Sequence, residues 1–303
     1  MAIKATLRAR RRRRRILWTT AVIAIVAILV AAYFISAATS NVNTAFIGKP
    51  VSHTVLGQVT GVSDSTLSAV GVPTGVSPPV SISGTALTSG GKPEVLYIGG
   101  DFCPYCAIER WSIVIAFSHF GTFKGLDYML SSSTDINPNT PTFTFRNVTY
   151  TSNYIAFVAV EEFGRGGSGD VVQTLTADQS TTVSKYDTCA ATSQNGGIPF
   201  LDIANAYAVN CGSQFQLPDI AGQNWTQVSS QLNTPSSNVA KLIDGAANTL
   251  ITAICKVDGG QPGSICSQAY ATVTLSYNPA GTGASQESLM AVPAVPVESK
   301  WTA

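Results

Sequence analysis

The sequence predicts an α/β fold, a mixed central sheet flanked by helices, carried behind one N-terminal apolar helix. Three observations predict it. Val95-Leu96-Tyr97-Ile98 is a short apolar run ending at Gly99-Gly100, and Cys103-Pro104-Tyr105-Cys106 then opens a helical pattern. Further on, Gly196-Gly197-Ile198-Pro199-Phe200 opens a second apolar run. Ahead of both, residues 16–36 form a stretch of 21 residues without a charge.

In chain order, residues 1–15 form a basic tail with eight Lys and Arg and no acid. The net charge of +1 therefore conceals a mildly acidic body, with 10 basic against 17 acidic residues. That body lacks the basic stripe that nucleic-acid binding requires, so no nucleic-acid partner is expected. Residues 16–36, as a helix rising 1.5 Å per residue, would span roughly 30 Å, the thickness of a bilayer's hydrocarbon core. Trp18 and Tyr33-Phe34 stand near its ends, where aromatic rings favour the interface. The preceding Arg10–Arg15 run places the tail in the cytoplasm and the chain after about residue 37 outside, by the positive-inside rule. The rival reading is a cleaved signal peptide, with Ser36-Ala37-Ala38 as a small-residue cleavage site. Both readings export the body.

Residues 37–91 read as a spacer partly packed on the main domain, with a short helix around Ser65–Val70 and breaks at Pro73, Pro78 and Pro79. The main domain covers 92–277. After the 95–98 strand, Ala107, Ile108, Trp111, Val114 and Ile115 recur at helical spacing, with Glu109, Arg110 and Ser112 on the polar positions between them. Segments 126–130, 154–160, 198–203 and 207–210 read as strands, and 237–254 as a helix with one apolar stripe. Residues 278–303 have no period and read as a flexible tail.

The chemistry concentrates in the C-x-x-C. A cysteine at a helix N-terminus meets free N–H groups and the helix dipole, which stabilise a thiolate. Cys106, three residues on, can close a disulfide across the first turn. Pro104 suits the first helical position, where its missing N–H costs nothing. Cys103 is thus the expected nucleophile and Cys106 the resolving thiol.

Through Cys103-Pro104-Tyr105-Cys106 and Ile198-Pro199 the chain resembles the thioredoxin superfamily. The dipeptide is glutaredoxin-like, but the long insertion is more like exported disulfide-exchange proteins. The resemblance implies a cis Ile198–Pro199 bond facing the motif. It implies that Ile198 and Pro199, with Pro104 and Tyr105, contact substrate. More closely, Gly91-Lys92-Pro93 and the run Tyr97 to Trp111 resemble an uncharacterised family of membrane-anchored proteins known only as a domain of unknown function. That likeness runs from about Lys49 to Ile254 and supplies no activity. One departure stands out: the acid that thioredoxins bury in the strand before the motif falls here at Tyr97. The proton acceptor for Cys106 is then unassigned. Glu161 and Glu162 are candidates, against the bland reading of a solvated strand end.

Six cysteines in an exported chain point to disulfides. The four outside the motif allow three pairings; the favoured one joins Cys255–Cys266 across a short loop and Cys189–Cys211 from before the Ile198-Pro199 strand to the strand after it. No closely spaced second Cys or His pair suggests zinc, and no cofactor is expected. The expected function is a membrane-anchored thiol–disulfide oxidoreductase acting on exported protein thiols or disulfides, or on a membrane redox partner. The alternatives are a binding module with a structural Cys103–Cys106 bond, or a redox sensor.

Overall fold

A computed structural model describes residues 18–28, 30, 44–189, 194–195, 197–217, 220 and 222–275. The chain divides after Phe46. In the first unit residues 18–28 are helical (α1). The remainder of the expected 16–36 span lies outside the described residues, apart from residue 30. Among the described residues no helix is long and apolar enough to cross a membrane.

The second unit begins with two short helices, α2 (His53–Thr60) and α3 (Asp64–Val70). Ser52 and Ser63 cap them by accepting the N–H of Val55 and Thr66. Val55, Val59 and Leu67 carry them into the core. Residues 53–60 therefore form a packed helix, one not foreseen within the segment read as a spacer partly packed on the main domain. Two buried valines are too few to show a period.

The central sheet is built around β3 (Lys92–Gly100). It pairs in parallel with β8 (Ala156–Phe163) and antiparallel with β11 (Phe200–Ile203), which pairs with β12 (Tyr207–Val209). Short β1 (Val80–Ser81) extends the sheet beyond β12, and β2 (Thr88–Ser89) pairs with the start of β3. The period-2 alternation of β3 sorts its side chains. Val95 and Tyr97 join the large core with α4 (Pro104–Ser118) and α7 (Asn238–Val257). Leu96 and Ile98 face the other way, with Phe200, Ala208 and Tyr186 of α5 (Ala177–Tyr186). The sheet is thus mixed and covered on both faces.

Between α4 and β8 lies an insertion of two nested antiparallel pairs. Gly121–Lys124 (β4) pairs with Thr149–Ser152 (β7), and Asp127–Leu130 (β5) with Pro141–Thr144 (β6). Strand β6 is fastened to α4 by side-chain hydrogen bonds. Trp111 Nε1 donates to the Pro141 carbonyl at 2.8 Å, and Thr142 Oγ1 to the Ala107 carbonyl at 2.7 Å. On its other side α4 packs on α7, where Ser112 Oγ donates to the Ile243 carbonyl at 3.0 Å. Strands β9 (Thr188–Cys189) and β10 (Gln194–Asn195), helices α6 (Trp225–Leu232) and α8 (Gly263–Cys266), and a final 3₁₀ turn complete the unit.

Helix α4 is therefore not the amphipathic surface helix its pattern suggests. Glu109, Arg110 and Ser112 are all fully buried. With the sheet, the insertion and α7 packed around it, no solvent face is left.

Candidate functional site

Strand β3 delivers the chain to the motif, and each local feature has a physical cause. Tyr97 lies over Gly99: a methyl there would overlap the phenol oxygen, so the close approach requires glycine. Cys103 is the N-cap of α4, extended at φ −73° and ψ 122°, and Pro104 takes the first helical position. The Cys103 sulfur accepts the Cys106 N–H at 3.2 Å, as a capping oxygen would. Facing the motif, the Ile198–Pro199 bond is cis. The Cys103 thiol donates to the Ile198 carbonyl at 3.6 Å. The two expected halves of the site, the C-x-x-C and the Ile-Pro turn, are thus in contact.

Exposure is uneven. Tyr105 and Ile198 keep some surface, while Pro104 and Pro199, also expected to meet substrate, are buried. Cys103 is 5% exposed and Cys106 fully buried, both as free thiols.

The two thiols are held differently. Burial pushes the Cys103 thiol up. A hydrogen bond from the Cys106 thiol, the N–H groups of Cys106 and Tyr105, and the Arg110 guanidinium outweigh that and bring it below the ordinary value. Cys106 goes the other way. Burial, its donation to Cys103 and the charges of Cys103 and Glu161 hold it well above the ordinary value, opposed only by Arg110. One thiol is prepared to be a thiolate and its neighbour to keep a proton.

Behind them sits a group of charges that the sequence reading does not assemble. Glu161 on β8 lies beside Gly99 in the sheet register and is fully buried, which corrects the reading of a solvated strand end. Arg110 grips it through both nitrogens of a fork, Nε to Oε1 at 2.9 Å and Nη2 to Oε2 at 2.6 Å. The Phe145 N–H also donates to Oε1, at 3.2 Å. Burial pushes the Glu161 carboxyl up, with Arg110 opposing. Asp101, just before the motif, is fully buried near Arg110 and paired with Arg146. Arg110 also lies over the Tyr97 ring, 5.8 Å from its centroid. Glu162, the second candidate, falls at a register irregularity of the β3–β8 pair, keeps some surface, and makes no hydrogen bond or ion pair with this group among the described residues.

Of the other cysteines, Cys255 and Cys266 form a disulfide with Cα atoms 5.5 Å apart. Cys211 is disulfide-bonded as well. The expected partner, Cys189, has its side chain outside the described residues.

Fold and site together define a mixed α/β domain with a dithiol at a helix N-terminus, faced by a cis-proline turn. The chain belongs to the family described as a domain of unknown function (DUF929), which matches residues 78–256, more than half of its length. No curated protein and no solved structure matches it.

Proposed function

We propose that the protein is a thioredoxin-like thiol–disulfide oxidoreductase, tethered to a membrane through residues 16–36 and exchanging disulfides with exported proteins. One observation carries the reading: the opposite treatment of two adjacent thiols, Cys103 lowered at a helix N-terminus and Cys106 raised behind it. Exchange needs that asymmetry. The attacking sulfur must be a thiolate at neutral pH, and the resolving one must stay protonated until a mixed disulfide has formed. The sheet supports the thioredoxin-like assignment: strand, C-x-x-C helix, parallel strand, then an antiparallel strand entered through the cis-proline.

The second reading, a binding module with a permanently closed Cys103–Cys106 bond, is favoured by the 5% exposure of Cys103. The reduction potential of the full chain, equilibrated in glutathione buffers, separates the two. A potential between about −120 and −270 mV with rapid exchange supports catalysis, whereas a pair closed below about −300 mV and slow to exchange is structural. In the catalytic case Cys106→Ser accumulates a mixed disulfide with substrate and Cys103→Ser forms none.

A further inference from the structure

Buried ions are costly, and a pair of them is weak evidence for stability because apolar side chains of similar volume serve as well. The group beneath this dithiol is therefore an expense that packing does not explain. Glu161, Arg110, Asp101 and Arg146 alternate in sign. Arg110 Nη2 is 2.6 Å from Glu161 Oε2 and 3.8 Å from Asp101 Oδ1, and Asp101 Oδ2 is 2.9 Å from Arg146 Nη2. The first three are fully buried, and the Arg146 side chain is 35% exposed. The row thus runs from the core behind Cys106 to solvent. Two of its buried atoms, Arg110 Nη1 and Asp101 Oδ1, have no hydrogen-bond partner among the described residues.

We propose that the row Glu161–Arg110–Asp101–Arg146 is the electrostatic control of the dithiol, with Arg110 a positioning residue that favours the open, thiolate form and Asp101–Arg146 adjusting from the surface how much of its charge the thiols feel. The inference rests on the oxidoreductase reading. In that reaction the Cys103 thiolate attacks a substrate disulfide, forming one S–S bond and releasing one substrate thiolate. Cys106 then loses its proton and attacks the Cys103 sulfur, releasing the second substrate sulfur. Two electrons pass from the dithiol to the substrate disulfide, and the protons end on the departing thiols. Negative charge exists at the motif only while the pair is open. A cation beneath it therefore stabilises the reduced form and makes the pair more oxidising, and an uncovered anion does the reverse. Arg110 acts on both sulfurs in this sense, and Glu161 opposes it at Cys106.

The sign of this effect tests it. Asp101→Asn removes an anion and Arg146→Gln uncovers one, and neither touches the sulfurs. In the full chain, the Cys103 thiolate is titrated by its ultraviolet absorbance against Cys103→Ser, and the glutathione equilibrium constant is measured alongside. Asp101→Asn should increase both the thiolate fraction and the oxidising equilibrium constant about threefold to tenfold, and Arg146→Gln should decrease both by a similar factor; tenfold in thiolate fraction is one pKa unit. The double variant Arg110→Met/Glu161→Gln removes both ions with little change of side-chain volume and should lower the thiolate fraction as Arg146→Gln does. Mere structural damage moves all three variants the same way. That result, or shifts under twofold throughout, overturns the inference. A wild-type pair inert to glutathione but titrating as predicted would overturn the oxidoreductase reading alone.

Discussion

Glu109 and Arg110 are neighbours on α4, both fully buried, and the fold treats them in opposite ways. On the Arg110 side, acids meet a cation: Glu161 is gripped by a bidentate fork and Asp101 lies between two arginines. On the Glu109 side the described residues place none. Glu109 Oε2 accepts the Gln214 N–H at 3.1 Å, its Oε1 has no hydrogen-bond partner among the described residues, and burial raises its pKa to about 7. Gln214 turns its side-chain amide to Thr249 Oγ1 at 2.6 Å and to the Ser77 carbonyl at 3.0 Å, neutral partners both. Asp244 on α7 is likewise buried without a hydrogen-bond partner among the described residues, and burial holds its carboxyl well above the ordinary range. Carboxyls on this side are carried close to neutral. Charge is kept only on the side that faces the sulfurs, which is where it has chemistry to influence.

The largest effect that can break this contrast comes from deleting one ion. Arg110→Ala leaves Glu161 buried and unpaired, and should cost about 3–5 kcal/mol in urea unfolding. Glu109→Gln, one residue away, should cost nothing at pH 8. Equal losses from the two would show that both sides are ordinary packing.

The next effect is a pH dependence of defined sign. Glu109 has a folded pKa of about 7 against an ordinary 4.5, so the folded state holds its proton more tightly than the unfolded chain. Its stabilising contribution is complete below pH 4.5 and is lost as pH rises through about 7. The gap corresponds to about 3 kcal/mol at 1.36 kcal/mol per pH unit. Asp187, raised by burial to about 7, and Asp202, raised by burial to about 6, act in the same direction. Wild type should therefore lose stability between pH 5 and pH 8, and Glu109→Gln should lose distinctly less. Parallel pH curves would mean that Glu109 ionises as easily folded as unfolded.

The contrast between the two sides could not be read from the sequence, although the motif at its centre could. An apolar run, a Gly-Gly, a cysteine at the N-cap and a proline after it are local signals, and they place strand, turn and helix by themselves. Glu109, Arg110 and Ser112 fall between the apolar positions as in any surface helix. Their burial depends on an insertion and a distant helix closing over both remaining faces, which periodicity does not report. Glu161 looks like a strand end for the same reason: its cation comes from 51 residues away. Asp101 had a usable signal, an acid two residues before the motif, just past an apolar run and a Gly-Gly. Helices α5 and α6 had one too. Thr176 with Gln179 and Asn224 with Gln227 form capping boxes, a spacing readable without coordinates. Trp225, Val228 and Leu232 add the helical period.

The smallest effect sharpens the comparison on the Glu109 side. Ser112 follows Glu109 by one turn and donates to the Ile243 carbonyl at 3.0 Å. That carbonyl lies inside α7, where the helix already supplies it with a backbone donor. Ser112→Ala therefore removes a hydrogen bond without leaving a buried group unsatisfied, and should cost about 0.5–1 kcal/mol, equally at pH 5 and pH 8. A loss of several kcal/mol would show that Ser112 belongs to a coupled polar network joining α4 to α7. The neutral side of the helix would then be as tightly specified as the charged one, and the difference between the sides would lie in charge alone.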